Sequence, residues 1–364
     1  MRPRGSSELS GVEAVVLVGG RGTRLRPLTL SAPKPMLPTA GVPFLTHLLC
    51  RIRDAGVRRV VLGTSYRAEV FAAHFGNGAA LDLELEYMVE TEPLGTGGGI
   101  RNVAGMLREP DVLVFNGDVL SGLDPRDVVR THRESGADVT LHLVRVPDPR
   151  AFGCVPTDGD GRVQAFLEKT DDPPTDQINA GCYAFRREVI DTIPAGRAVS
   201  VERETFPRLL VAGARVQGHV ESSYWLDLGT PAAFVQGSAD LVRGIAPSSA
   251  LPAAPGEALV LGGARVAPGA DVAGGSAVSA GCVVGMEARV LGSVLLDGAV
   301  VADGAVVQRS VLGAGARVGA GAVLCDVVVG DGAVIGARCE LRDGMRVWPG
   351  VVLPDGAVRF SSDQ

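Results

Sequence analysis

The sequence predicts an α/β layered domain followed by a parallel β-helix, and two observations predict it. Up to about Asp240, short branched-aliphatic runs alternate with stretches of helical spacing, as they do where helices cover a sheet. Beyond Arg243 an aliphatic residue returns every six positions, with glycine and small residues between, which is the unit of a triangular coil. A chain of 364 residues is long enough to bury two such cores.

In chain order, residues 1–11 lack a signal-peptide core and read as a flexible leader. Residues 12–243 form the first domain. Strands are expected over 14–18, 59–63, 83–89, 112–115 and 139–146, with helices over 43–55, 67–75 and 98–107. Ligands in such sheets bind beyond the carboxyl ends of the strands, so the loops after the first and fourth strands belong on one rim. A Pro/Ala/Ser-rich stretch makes 244–257 a linker. The β-helix then occupies 258–356, with 357–364 as a tail. Its inward stack reads Val260, Val266, Val272, Val278, Val284, Val290 and Leu296; then Val300, Val306, Leu312, Val318 and Leu324; then Val329, Ile335, Leu341, Val347 and Leu353. The register slips near Asp297 and Asp326 are expected to be small loops on a corner. No coil of this kind is stable alone.

Composition narrows the function. A net charge of −6 gives no general attraction for nucleic acid or anionic membrane, and no apolar run approaches the ~20 residues that cross a bilayer. Six cysteines, far apart and without CxxC spacing, fit neither a zinc pattern nor a disulfide framework. A soluble cytoplasmic protein with reduced thiols is expected.

The densest chemistry lies at GGRGTR, 19–24, where glycines let successive N–H groups converge on an anion. Arg21, Arg24, Arg26 and Lys34 stand in or just behind it, and Thr23, Arg24, Arg26 and Lys34 crowd the loop with more donors than a structural turn needs. The loop matches neither a Walker A nor a GxGxxG motif, since no Gly-Lys-Ser/Thr follows and Leu25 stands where the third glycine would fall. A second cluster, EPLGTGGG at 92–99, opens a helix and suits either close approach of a ligand or tight helix packing. Asp118 in FNGD and Asp227 in YWLDLGTP together suggest a carboxylate pair for Mg²⁺, which takes one or two carboxylates plus phosphate oxygens. Glu168 beside Lys169, and Asn179 before a small pair, suit a sugar and its anionic group, although a Glu-Lys dipeptide is commonly a solvated surface feature.

Taken together and in this order, GGRGTRLRPLT, Lys34-Pro35, PLGT, NGD, Glu168-Lys169, NAG at 179–181 and WLDLGTP resemble the sugar-nucleotide pyrophosphorylases, or nucleotidyltransferases, over nearly the whole chain. LVGG, LTLSAPKP and EPLGTGGG look most like the members that are mannose-1-phosphate guanylyltransferases. The resemblance implies a Rossmann-like mixed-sheet nucleotidyltransferase domain with a left-handed β-helix. It implies that Leu17, Gly19, Gly20, Glu92 and Gly95 hold the nucleotide and that Gly22, Thr23 and Arg24 cradle its phosphates. Lys34 would meet the α-phosphate; Gly153, Glu168 and Asn179 the sugar; Lys169 the sugar phosphate; Asp118 and Asp227 the Mg²⁺. Thr170 departs from the family's usual EKP.

The implied reaction joins an NTP, GTP by the closer likeness, to a sugar 1-phosphate, mannose 1-phosphate by the same likeness. Catalysis would be mostly alignment and charge neutralisation by Arg24, Lys34, Lys169 and the metal. Glucose 1-phosphate with UTP or dTTP stays open, as does a non-catalytic sensor of nucleotide sugars. An acyltransferase on the β-helix lacks a histidine base, since none lies beyond His219. The β-helix suits either assembly of subunits, into a dimer or tetramer, or capping of the catalytic domain.

Overall fold

A computed structural model describes residues 9–167, 169, 171–251 and 256–360. Glu168 and Thr170, most of the leader and part of the linker lie outside the described residues. Contacts divide the chain into two compact units that do not follow its linear order. One takes the residues up to Gly20 and Leu48–Trp225; the other takes Arg21–His47 and everything from Leu226 on.

The first unit is built on a seven-stranded sheet. Its strands are β1 (Val12–Leu17), β2 (Arg59–Thr64), β3 (Glu84–Val89), β4 (Asp111–Asn116), β5 (Val139–Arg145), β6 (Gln177–Arg186) and β7 (Val216–Glu221), ordered β7-β5-β6-β4-β1-β2-β3. β4, β1, β2 and β3 run parallel, while β6 lies antiparallel to β4 and β5, so the sheet is mixed. The strands are apolar runs because both faces are covered. Val15, Val61, Val114, Leu141, Tyr183 and Phe185 share one core with Ile100, Val103 and Phe206 from the covering segments. Three expected helices are present, as α1 (Phe44–Ala55), α2 (Ala68–Phe75) and α3 (Gly95–Asn102). The third begins earlier than its spacing suggested, and a 3₁₀ turn over Ala104–Met106 replaces its end. The last leader residues are packed: Leu9 is buried, and Ser10 O accepts from Arg133 Nη2 at 2.8 Å.

The second unit contains the left-handed β-helix. Its strands form three six-stranded parallel sheets, each coil giving one strand to each sheet. Inward residues stack directly, as in Val278, Leu295, Leu312, Val329 and Val347, or Val284, Val301, Val318, Ile335 and Leu353. The hexad is therefore real, but three inward assignments are corrected. Leu295, Val301 and Val307 point inward, where Leu296, Val300 and Val306 were expected.

The slips are not loops. They are one-residue contractions of a single corner, at Gly292-Ser293, Arg309-Ser310 and Asp326-Val327, where Gly292, Arg309 and Asp326 take positive φ. Buried serines close the contracted corners. Ser276 Oγ accepts from Ser293 N at 3.1 Å, Ser293 Oγ from Ser310 N at 3.1 Å, and Ser310 Oγ from Val327 N at 3.0 Å. Each hydroxyl thus satisfies an amide that the shortened corner would strand. The coil also continues into the expected tail, where Val358–Phe360 pairs with Glu340–Arg342.

Candidate nucleotide and sugar-phosphate site

In the second unit the glycine loop closes on itself. Gly22 sits at φ 59°, a left-handed conformation that favours glycine. Its carbonyl accepts from Leu25 N at 3.0 Å and from Thr29 Oγ1 at 2.9 Å. A Cβ there would stand 2.9 Å from Thr29 Cγ2 and 3.1 Å from Lys34 Cβ, so the loop is wound directly over Lys34. Thr23 and Arg24 point outward and are exposed.

Asp227 completes this group. Lys34 Nζ lies 3.5 Å from its Oδ1 and Arg24 Nη2 lies 3.9 Å from its Oδ2. Arg24 reaches there across Gly229, where a Cβ would fall 2.5 Å from Nη2. The glycine of WLDLG therefore makes room for the guanidinium. Lys34 is buried, and Arg24 keeps 68% of its side chain in solvent. One cation is fixed and one is free to meet an incoming anion.

Asp227 Oδ1 is buried without a hydrogen-bond partner, the Lys34 contact being an ion pair only. A desolvated carboxylate oxygen in that state fits a divalent cation that draws its other ligands from phosphate oxygens. Among the described residues no group of three or more His, Cys, Asp or Glu side chains is arranged to hold a metal.

In the first unit the carboxyl ends of β1 and β4 lie side by side, Leu17 opposite Asn116. Gly117 N donates to Leu17 O at 2.9 Å, which sets Asp118, half-buried, beside the end of β1. Both loops expected on one rim are there, at Gly19-Gly20 and at Asp118. A Cβ on Gly117 would come 2.5 Å from Val18 Cγ1, so no other residue lets the two strands end this closely. At Gly20 nothing would meet a Cβ within 4 Å.

The second glycine cluster is closed rather than open. Val199 O accepts from Gly97 N at 2.8 Å and from Gly98 N at 3.2 Å. A Cβ on Gly95 would fall 2.8 Å from Val199 O, one on Gly98 2.7 Å from Arg197 O, and one on Gly99 2.8 Å from Glu90 Oε1. Tight packing explains these glycines, and the amides of Gly97 and Gly98 are occupied by protein. Gly95 and Glu92 remain exposed at the cluster's edge.

Sequence reasoning passed over Glu90. Its carboxylate stands against Gly99 and accepts from Leu94 N at 3.3 Å, while Leu17 Cδ2 would lie 3.4 Å from a Cβ on the same Gly99. Burial pushes its carboxyl pKa up, only partly offset by that amide. The available signal was a carboxylate closing a strand just ahead of the glycines.

The expected sugar residues also gather in the first unit. Asn179 N approaches Gly153 O at 3.5 Å, and Cys154 pairs with Leu167 in an isolated bridge. The Gly153 and Asn179 backbones and the chain at Leu167 therefore meet; Glu168 is outside the described residues, and Lys169 is exposed. The Asn179 side chain is partly spent on structure, its Nδ2 donating to Tyr183 Oη at 2.8 Å and its Oδ1 accepting from Gly181 N at 3.1 Å. Trp225 Nε1 donates to Ala180 O at 3.0 Å, and its ring meets Phe152 edge-on at 5.4 Å.

Comparison with known proteins gives the family and the fold. Residues 13–244 match the family model described as nucleotidyl transferase, and 254–364 match that of the GMPPB C-terminal domain. The chain is 64% identical to a mannose-1-phosphate guanylyltransferase of Mycobacterium tuberculosis, over 97% of this chain and 98% of that protein. It is 37% identical to the mannose-1-phosphate guanylyltransferase catalytic subunit beta of Drosophila melanogaster, over 63% of this chain and 62% of that one. Among solved structures, HddC from Yersinia pseudotuberculosis is 29% identical with a TM-score of 0.56, covering 62% of this chain and 97% of HddC. The same protein complexed with GMP-PN superposes with a TM-score of 0.55 at 29% identity.

Proposed function

The chain belongs to the nucleotidyl transferase family, and on that premise we propose that it transfers a guanylyl group from GTP to mannose 1-phosphate, giving GDP-mannose and pyrophosphate. The observation that carries this reading is the group formed by Lys34, Arg24 and Asp227 under the Gly22 turn, which offers two cations and an unsatisfied carboxylate oxygen to a polyphosphate.

A phosphate oxygen of the sugar phosphate attacks the α-phosphorus in line. One P–O bond forms as the bond to the β-phosphate oxygen breaks, and pyrophosphate departs with the electron pair. The attacking phosphate is already ionised at neutral pH, so no protein base is needed. The protein's work is alignment and charge neutralisation. Main-chain amides at Gly19, Gly20, Gly22 and Thr23, with Arg24, hold the triphosphate, and Lys34 meets the α-phosphate. Gly153, Glu168 and Asn179 hold the sugar, and Lys169 its phosphate. Mg²⁺, held by Asp118 and Asp227, would supply further neutralisation of the phosphate charge when bound.

For the base, Glu90 joins Leu17, Glu92 and Gly95, its carboxylate and Leu17 both standing against Gly99. Guanine presents two adjacent donors, N1–H and N2–H, which an ionised carboxylate can accept together, whereas uracil and thymine place one N–H between two carbonyls. Glu90 thus favours GTP. No helix among the described residues is long and apolar enough to cross a membrane. We place the enzyme in the cytoplasm as a homo-oligomer, dimer or tetramer.

Pyrophosphate release from a panel of GTP, ATP, UTP and dTTP with mannose and glucose 1-phosphates tests the assignment. The reading requires GTP with mannose 1-phosphate to give the highest kcat/KM. Preference for UTP or dTTP with glucose 1-phosphate would replace it, and tight GDP-mannose binding without turnover would make the protein a sensor.

A further inference from the structure

Within the second unit, one sheet of the β-helix differs from the other two on its outer face. In the second sheet Arg265, Arg317 and Val352 are exposed, and in the third Asp271, Arg289 and Val358 are. In the first sheet Val294, Leu296, Val311 and Val328 on the outward face are buried, and Arg346 of the last coil is exposed. They pack in one cluster with Leu25, Leu28 and Leu37, which interleave with Arg24 and Lys34 along the chain, and with Phe234 and Val235. The last two stand in the helix Pro231–Val242, which Thr230 caps through Ala233 N at 3.2 Å just after Asp227 and Gly229. A single apolar cluster thereby anchors both the segment bearing Arg24 and Lys34 and the segment bearing Asp227. From the last coil, Arg346 Nη1 adds a hydrogen bond to Arg26 O at 2.9 Å.

We infer that the β-helix positions the phosphate-binding cations: its first sheet's outer face, chiefly Leu296 and Val311, together with Arg346, is the seat that holds the segment bearing Arg24 and Lys34 beside Asp227. These are positioning residues. A stack of coils whose interior is close-packed yields little, so a loop seated on it inherits that rigidity. The inference rests on the reading that Arg24 and Lys34 meet the triphosphate.

Steady-state kinetics of the full-length protein with GTP, read beside thermal unfolding, test it. Leu296→Ala, which empties the seat without touching the inward stack, is expected to lower kcat/KM by ~10–100-fold, since small misplacements of positioned groups cost that much. Inward Leu324→Ala is expected to lower Tm further while keeping kcat/KM near wild type below its transition. Arg346→Ala is expected to raise the KM for GTP by ~3–10-fold, and Arg346→Lys, which retains a donor, to restore most of it. If Leu296→Ala and Arg346→Ala both keep wild-type kcat/KM while Arg24→Ala is inactive, the site reading stands and the seat is refuted. An active Arg24→Ala overturns the reading beneath it.

Discussion

Two glycine-rich segments, 19–24 and 95–99, look alike in sequence and differ in what lies against them. At 95–99 the backbone of 197–199 and the Glu90 carboxylate occupy the space that side chains would need, and Val199 O takes two of the amides. At 19–24, Gly20 faces open space and Thr23 and Arg24 stand in solvent over a buried lysine. The 95–99 glycines let protein approach; at 19–24 that holds for Gly19 and Gly22, where a Cβ would stand 2.9 Å from Ser65 Oγ and from Thr29 Cγ2, and Gly20 is the glycine that leaves room for something else. A glycine cluster carries no function of its own; its neighbours decide.

The sharpest way to break this contrast is to remove the buried cation. Lys34→Ala is expected to cost about three orders of magnitude in kcat, the scale of losing a preorganised charge at a transition state, with an unchanged circular dichroism spectrum. Near-normal turnover would return the open loop to the status of a plain turn.

The closed cluster should respond through stability. Gly98→Ala places a methyl 2.7 Å from Arg197 O and 2.9 Å from Leu94 Cβ, and is expected to lower unfolding free energy by about 1–3 kcal/mol in urea titration, with an unaltered KM for GTP in the folded fraction. Gly20→Ala should do the reverse, moving stability by less than about 0.5 kcal/mol while raising the KM. If the two variants exchange behaviours, the comparison is inverted.

Glu90 joins the two regions in function. Glu90→Gln is expected to reduce the preference for GTP over UTP by ~10–100-fold, because a site built to accept two donors loses one acceptor. Since burial raises the Glu90 pKa, the wild-type KM for GTP should climb on acidification as the carboxylate protonates, and the Gln variant should lack that limb. Equal pH profiles would remove Glu90 from the base site.

The smallest effect lies away from both segments and should touch stability alone. Burial raises the Glu221 pKa, but hydrogen bonds from His142 and Ser223 outweigh it and hold the carboxyl near about 2, down from 4.5. A depressed carboxylate stabilises the fold above its unfolded pKa and ceases to as pH falls from about 4.5 towards 2. About 1–2 kcal/mol should disappear over that window in wild type and be absent from Glu221→Gln.

Much of this was legible in the chain. β1, β2 and β4 announced themselves as branched-aliphatic runs ended by turn residues. β6 did not, although it is the antiparallel strand at the centre of one flank. Gln177, Asn179 and Gly181 interrupt its run, and β5 shifts register against it between Leu141 and Leu143. The hexad was plain, but its phase was lost at Leu296 because both faces of the first sheet are aliphatic there, one for the coil and one for the segment it carries. The order of motifs singled out Lys34 and Asp227 as candidates; their 3.5 Å approach joins positions that no spacing relates.

The central claim is tested most directly by hydrogen exchange of backbone amides with and without GTP and Mg²⁺. New protection is expected across 19–24 on nucleotide binding and little change at 97–98, whose amides already serve Val199 O. Protection gained at 97–98 with none at 19–24 would contradict it.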